Sequence, residues 1–255
     1  MDITENTAIV VSGGASGLGA AVARGFAAAG AKVGIFDLNE EGGQALAAEL
    51  GGAFARVDVS DPTSVAEGFE TLRAVHGQER VMVNCAGIGP AAKTVSKGEA
   101  HDAGLFAKVI GVNLIGSFNC ASQSAAGMVN ADPVTDDGER GVIVNTASVA
   151  AFDGQIGQLA YAASKGGVVG MTLPMARDLS GEGVRVVTIA PGLFKTPLLE
   201  GLPQEVQDSL GAQVPFPSRL GDPAEYAAMA RHIVENSMLN GEVIRLDGAI
   251  RMAPR

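Results

Sequence analysis

Tyr161, Lys165 and Ser148 are the side chains in this 255-residue sequence whose types and spacing could move a proton. Tyr161 and Lys165 lie four residues apart, so on a helix they share one face and an ammonium can act on a phenol. A free tyrosine titrates near ~10, leaving about 0.1% phenolate at pH 7, and bringing it to neutrality takes about 4 kcal/mol. A cation roughly 4 Å away at an effective dielectric of about 20 supplies ~4 kcal/mol. The pair reads as an acid/base device. An isolated Tyr-x-x-x-Lys also fits an amphipathic helix with a snorkelling lysine, so the elements that place these residues must decide.

Composition narrows the function classes. A chain of this length fits one domain with a large core, and we expect a single domain over 1–255. Hydrophobic residues make up 47%, charged residues 18%, and 35 glycines follow no collagen-like period, a profile of a compact enzyme-like chain. The net charge of -10, with no basic run, argues against nucleic acid or an anionic membrane as the main partner. No apolar run is expected to reach membrane-spanning length. Met1 to Glu5 is acidic and leads into a strand, so neither signal nor transit peptide is expected and a soluble, cytoplasmic protein is. Cys85 and Cys120 sit in apolar surroundings as packing groups, and the three histidines have no ligand spacing, so no metal site is expected.

Taken in order, the chain alternates short apolar runs with helical stretches. Ala8 to Val11 reads as a strand buried on both faces. It ends in the turn Ser12-Gly13-Gly14-Ala15-Ser16-Gly17-Leu18-Gly19 and a helix from Ala20 to Ala29. Such a turn lets backbone approach a pyrophosphate at a helix N-terminus. A second strand, Ala31 to Phe36, ends in Asp37, where a carboxylate can bind both adenosine ribose hydroxyls. After helix Glu40 to Leu50, a third strand, Ala53 to Val57, leads to Asp58-Val59. Asp58 could bond an adenine amino group or equally be a solvated turn carboxylate. The fourth strand, Val81 to Val83, runs into Asn84-Cys85-Ala86-Gly87, small enough to let a cofactor pass.

Segments 90–103, with Lys93 and Lys97, and 130–140 read as polar surface loops. Between them runs an apolar helix, Gly104 to Val129, interrupted by Gly111 and Gly116 and carrying Asn113, whose amide needs buried partners. The fifth strand starts at Val142 and delivers Ser148 to its C-terminal end, the edge where doubly wound sheets bind ligands. No histidine or nucleophile elbow accompanies Ser148, which disfavours a hydrolase triad. Helix Gly157 to Leu179 then carries Tyr161 and Lys165, with Gly166, Gly167 and Gly170 at close-packed positions and a kink at Pro174. The sixth strand, Arg185 to Ile189, ends at Pro191-Gly192, again at the crevice. Leu198, Leu199, Leu202, Val206, Leu210, Val214 and Phe216 suit either a lid at 193–217 or an ordinary packed helix. A last helix, Pro223 to Asn236, and a seventh strand, Glu242 to Leu246, complete the pattern. The expected fold is α/β: a Rossmann-type doubly wound sheet of about seven mainly parallel strands with helices on both faces.

By the glycine turn, Asp37, Asn84-Cys85-Ala86-Gly87, Asn113, Ser148, Tyr161, Lys165 and Pro191-Gly192, the whole chain resembles the short-chain dehydrogenase/reductase family. More narrowly, segments 145–152, 191–194, 214–226 and 241–252 look like the type II 3-hydroxyacyl-CoA dehydrogenases, also known as type 10 17β-hydroxysteroid dehydrogenases. The resemblance implies an NAD-dependent homotetramer. It implies Tyr161 as acid/base, Lys165 lowering its pKa and holding the nicotinamide ribose, Ser148 bonding the reacting oxygen, and Asn113 anchoring a relay water. It also implies NAD contacts from Ser16, Leu18, Asp37, Asp58, Val59, Cys85, Phe194 and Thr196. The expected reaction is hydride transfer between NAD and a (3S)-3-hydroxyacyl-CoA. Alternatives are a steroid or other secondary-alcohol dehydrogenase and, outside enzymes, a cofactor-binding scaffold. No arginine or lysine directly follows Asp37 or occupies the glycine turn, so a 2′-phosphate would meet a carboxylate without a countercharge. NAD(H) should therefore be preferred over NADP(H), and equal catalytic efficiency with the two cofactors would overturn that expectation.

Overall fold

A computed structural model describes residues 1–201 and 203–254, and of Leu198 and Glu200 the backbone only. The strands are β1 (Ala8–Ser12), β2 (Lys32–Asp37), β3 (Ala53–Arg56), β4 (Val81–Asn84), β5 (Val95–Ser96), β6 (Glu99–Ala100), β7 (Gly141–Thr146), β8 (Val184–Pro191) and β9 (Val243–Leu246). Seven of them pair in parallel in the order β3-β2-β1-β4-β7-β8-β9. The chain runs outward from β1 to β3 and then returns to lay β4 on the other side of β1. That reversal opens a crevice beyond the strands' C-terminal ends.

Among the described residues nine α-helices connect these strands: α1 (Gly17–Ala28), α2 (Glu40–Leu50), α3 (Pro62–His76), α4 (Ala103–Ile110), α5 (Gly116–Val129), α6 (Leu159–Asp178), α7 (Pro197–Glu200), α8 (Gln204–Ala212) and α9 (Pro223–Glu235). Alternation along each strand sends successive side chains to opposite faces. Val11, Ile35, Val83 and Val144 pack beneath Val22 and Phe26 of α1 and Tyr226 and Ile233 of α9. Their neighbours Val10, Phe36, Met82 and Ile143 pack beneath Phe69 of α3 and Cys120 and Met128 of α5. The sheet is thus buried on both sides, as its unbroken apolar runs require.

Several local expectations change. The 90–103 segment holds a two-stranded antiparallel hairpin, β5 with β6. Lys97 and Gly98 turn it with φ of 53° and 86°, the backbone of a tight two-residue turn, with lysine where asparagine would have announced it. Helices α4 and α5 join through a π-helical turn, Gly111–Ile115, so the two glycines do not break the run. The continuous helix Ala103–Val129 is 27 residues long and apolar enough to meet the composition of a membrane span, against the expectation that no run would. Here α5 packs on α3 and β4.

Pro174 sits inside α6 without ending it, because the carbonyl its missing N–H would have engaged belongs to exposed Gly170. Only Gly167 of that helix's three glycines is close-packed. A Cβ there would lie 2.6 Å from Leu114, whereas Gly166 and Gly170 face open space. In the 193–217 segment, α7 reaches the crevice through Pro197 and Leu199, while α8 lies mostly exposed with Val206 facing outward, as does Phe216 beyond it. Val214 is buried; the side chains of Leu198 and Leu202 lie outside the described residues.

A buried charge cluster fastens α3 and α5 to the start of β4. Glu79, 1% exposed, accepts two hydrogen bonds from Arg73 at 2.9 and 2.8 Å and one from Ser124 at 2.9 Å. Removing the cation strands a desolvated carboxylate, so Arg73→Met should lower stability by about 3–5 kcal/mol, read from urea unfolding midpoints; a loss below about 1 kcal/mol would contradict this account.

Candidate active site

The glycine turn is built for close approach. Gly13 has φ +65°, and a Cβ there would lie 2.7 Å from Ala86 backbone atoms. One on Gly19 would lie 2.2 Å from the Gly13 carbonyl oxygen. Only glycine lets this turn, the start of α1 and the end of β4 meet. Asp37 reinforces the turn: one carboxylate oxygen accepts from Ala15 N at 3.0 Å and the other from Asn39 N at 2.9 Å.

These strand ends enclose a cleft of about 600 Å³. It gathers Gly13, Ser16, Leu18, Gly19, Asp37, Asp58, Val59, Cys85, Ala86, Gly87, Ser148, Tyr161, Lys165, Pro191, Gly192, Phe194 and Thr196, all anticipated from the sequence. Asp58 both faces the cleft and closes its own turn, accepting from Ser60 N at 2.9 Å and Ser60 Oγ at 2.6 Å. Three anticipated residues stand elsewhere. Ser12 is buried beneath the site and bonds Asn84 Oδ1 and Ala86 N at 3.4 Å each. Gly17 faces Pro197 from behind the turn. Asn113 is fully buried, and its amide is engaged by protein: Oδ1 accepts from Ile88 N at 2.8 Å, while Nδ2 donates to Ile88 O at 2.8 Å and Ser164 Oγ at 3.0 Å. Its side chain sets the path of the chain beyond Gly87.

The chemical centre lies where α6 meets the end of β7. Ser148 caps a short 3-10 turn, Val149–Ala151, with Oγ accepting from Ala150 N at 3.1 Å. Burial pushes the Tyr161 phenol above its ordinary range, and a hydrogen bond with Ser148 pulls the other way. Lys165 Nζ stands 5.8 Å from the Tyr161 ring centre and donates to the Thr146 carbonyl oxygen at 2.7 Å. Burial lowers the lysine to about 8. In this structure burial outweighs the Ser148 hydrogen bond on the phenol. Cys85 is a cleft wall whose thiol burial raises to about 11, too high for a nucleophile at neutral pH.

Sequence reasoning missed Thr146, whose anchoring group is a main-chain carbonyl and so leaves no residue-type signal. It also missed Ile88, Val149, Gln158, Leu193 and Met252, which line the same cleft. Nearness to strand ends was the available clue for Val149 and Leu193. Met252 arrives from the tail, which Ile156 N and Gln155 Nε2 hold through the Pro254 and Ala253 carbonyls at 3.0 Å each.

Comparison with known proteins matches this geometry. Residues 7–207 match the short chain dehydrogenase family. The chain is 54% identical over 249 residues to human 3-hydroxyacyl-CoA dehydrogenase type-2, covering 96% of this chain and 95% of the relative. It is 52% identical over 254 residues to the Drosophila melanogaster protein of the same name, covering 98% and 99%. The crystal structure of 3-hydroxyacyl-CoA dehydrogenase type-2 from Mycobacterium avium superposes with a TM-score of 0.94 at 44% identity, over 100% of both chains.

The turn and the cleft wall are in contact through Gly13, so Gly13→Ala should push them apart. NADH affinity, followed by cofactor fluorescence, should fall at least about tenfold; unchanged affinity would show that the turn does not cradle the cofactor.

Proposed function

The chain belongs to the short chain dehydrogenase family, and on that premise we propose that it interconverts (3S)-3-hydroxyacyl-CoA and 3-oxoacyl-CoA with NAD(H). The observation that carries the reading is the convergence of Tyr161, Ser148 and Lys165 on one cleft beside the glycine turn. The acyl-CoA substrate class rests on the names of the relatives, and the apolar wall of Ile88, Val149, Leu193 and Met252 suits an acyl chain.

The Gly13 and Gly19 cradle suits a dinucleotide, with Asp37 read as the ribose partner and Asp58 as an adenine contact beside its role in its own turn. When bound, the nicotinamide accepts or supplies the hydride. Among the described residues lining the cleft Lys165 is the sole cation, while Asp37 and Asp58 are carboxylates. A 2′-phosphate would meet like charge there, which supports NAD over NADP.

Tyr161 takes the hydroxyl proton in oxidation and returns it in reduction. Ser148 accepts from Ala150 N, so its own proton remains available to the phenol or to the substrate oxygen. Lys165 has three protons and gives one to Thr146 O, leaving two for ribose hydroxyls and proton exchange. We also read the chain as a cytoplasmic homotetramer. Ile115, Phe118, Leu159 and Leu173 present exposed apolar surface that suits self-association.

Tyr161→Phe should abolish turnover while leaving NADH binding intact, and near-normal activity would falsify the acid/base role. NADH oxidation with acetoacetyl-CoA, set beside a ketosteroid and a free 3-oxo acid, tests the substrate; a clear preference for the ketosteroid would replace the acyl-CoA reading. Reduction needs the phenol and the Lys165 ammonium protonated. Since that lysine loses its proton near pH 8, reductive kcat/KM should fall as pH rises through this value while the oxidative rate climbs. A flat reductive profile to pH 10 would exclude Lys165 from the proton path.

A further inference from the structure

Helix α9 packs on the sheet face opposite α5 and brings the Tyr226 hydroxyl to Thr146 at the end of β7. We propose that Tyr226 is a positioning residue that holds Lys165 in place through Thr146. The inference rests on the reading of Tyr161 and Lys165 given above.

Tyr226 is fully buried, and its hydroxyl lies 2.6 Å from Thr146 Oγ. Thr146 Oγ also lies 2.5 Å from the Asn84 carbonyl oxygen. A carbonyl can only accept, so the single threonine proton goes to Asn84, and Tyr226 must donate to Thr146. The direction of this short relay is therefore fixed: Tyr226 to Thr146 to the end of β4. Cys85 Sγ lies 3.7 Å from Thr146 Oγ and also hydrogen-bonds the Tyr226 hydroxyl, a softer contact beside the short Tyr226–Thr146 bond.

The same threonine carries the carbonyl that accepts from Lys165 at 2.7 Å. On the far side of that peptide bond, Ala147 N donates to Ile189 O at 2.8 Å. The peptide plane is thus held by β8, its side chain by α9 and β4, and its oxygen is what the ammonium meets. Among the described residues, the ionisable groups around Lys165 are the Cys85 thiol from the end of β4 and Tyr161 on its own helix, and no carboxylate is among those acting on it. A peptide dipole is therefore its principal charge partner, and its placement sets how well the ammonium is stabilised.

A tyrosine that merely fills the core would do so through its ring, which packs edge-on to Phe194 with centroids 6.5 Å apart. Tyr226→Phe keeps that ring and removes only the donor. In the full-length protein with ε-carbon-labelled lysine, the Lys165 resonance, assigned by its loss in Lys165→Arg, should titrate about half a unit or more lower in Tyr226→Phe. This readout needs no substrate. In acetoacetyl-CoA reduction, kcat should fall about 3- to 10-fold with KM within about twofold, and the alkaline limb should move to lower pH.

Thr146→Ser, which retains the acceptor, should restore wild-type titration where Thr146→Ala does not. The double variant Thr146→Ala with Tyr226→Phe should be no worse than Thr146→Ala alone. A Lys165 titration unchanged in Tyr226→Phe would overturn the proposal, even if the melting temperature falls. Additive losses in the double variant would overturn it too. Wild-type protein inactive on every carbonyl tested, with the lysine shift present, would instead remove the dehydrogenase reading and keep the positioning role.

Discussion

A lysine ammonium buried against a peptide oxygen, with no carboxylate acting on it among the described residues, is the constraint on which this structure turns. Desolvation works against the charge and lowers its pKa to about 8, so the group is poised near neutrality rather than locked. A carboxylate partner would have held the proton harder. A carbonyl is a weaker counterpart, and its usefulness depends on exact location. That requirement explains why the end of β7 is fixed from three directions, by β4, β8 and α9, while much of the nearby 193–217 segment is exposed.

Close approach governs the other half of the cleft. The glycine turn, the start of α1 and the small residues after β4 meet at distances where a methyl group would collide. The resulting wall is backbone, which offers N–H groups and little bulk. Among the described residues lining the cleft, the charges are Asp37, Asp58 and Lys165, so both signs share one largely apolar wall.

Much of this was readable in the sequence, for identifiable reasons. Runs such as Val81 to Val83 and Val142 to Val144 could only be strands buried on both faces, and counting them in order carried Ser148 and Pro191 to one edge. Pairing Tyr161 with Lys165 needed only helical periodicity. What escaped depended on contacts between distant segments. Ser12 sits one residue below the cleft because β1 ends where Asn84 and Ala86 close over it. Asn113 faces inward because a π-helical turn rotates it toward Ile88. Thr146 acts through a group every residue possesses, and Tyr226 becomes visible only when α9 is laid on β7. The 95–100 hairpin was missed because Lys97 adopts a backbone conformation usually left to asparagine or glycine.

Beneath the cleft, strand pairing aligns Ser12, Asn84, Asn145 and Thr188 across β1, β4, β7 and β8. Asn84 Nδ2 bonds Asn145 Oδ1 at 2.9 Å, and Thr188 bonds Thr172 of α6 at 2.6 Å. An all-apolar sheet would tolerate neighbouring alignments of nearly equal energy. A one-residue slip here would swing each of these groups to the opposite face, into the aliphatic core beneath α1 and α9, without a partner. The polar row therefore favours the single register in which the strand ends, and with them the catalytic edge, line up.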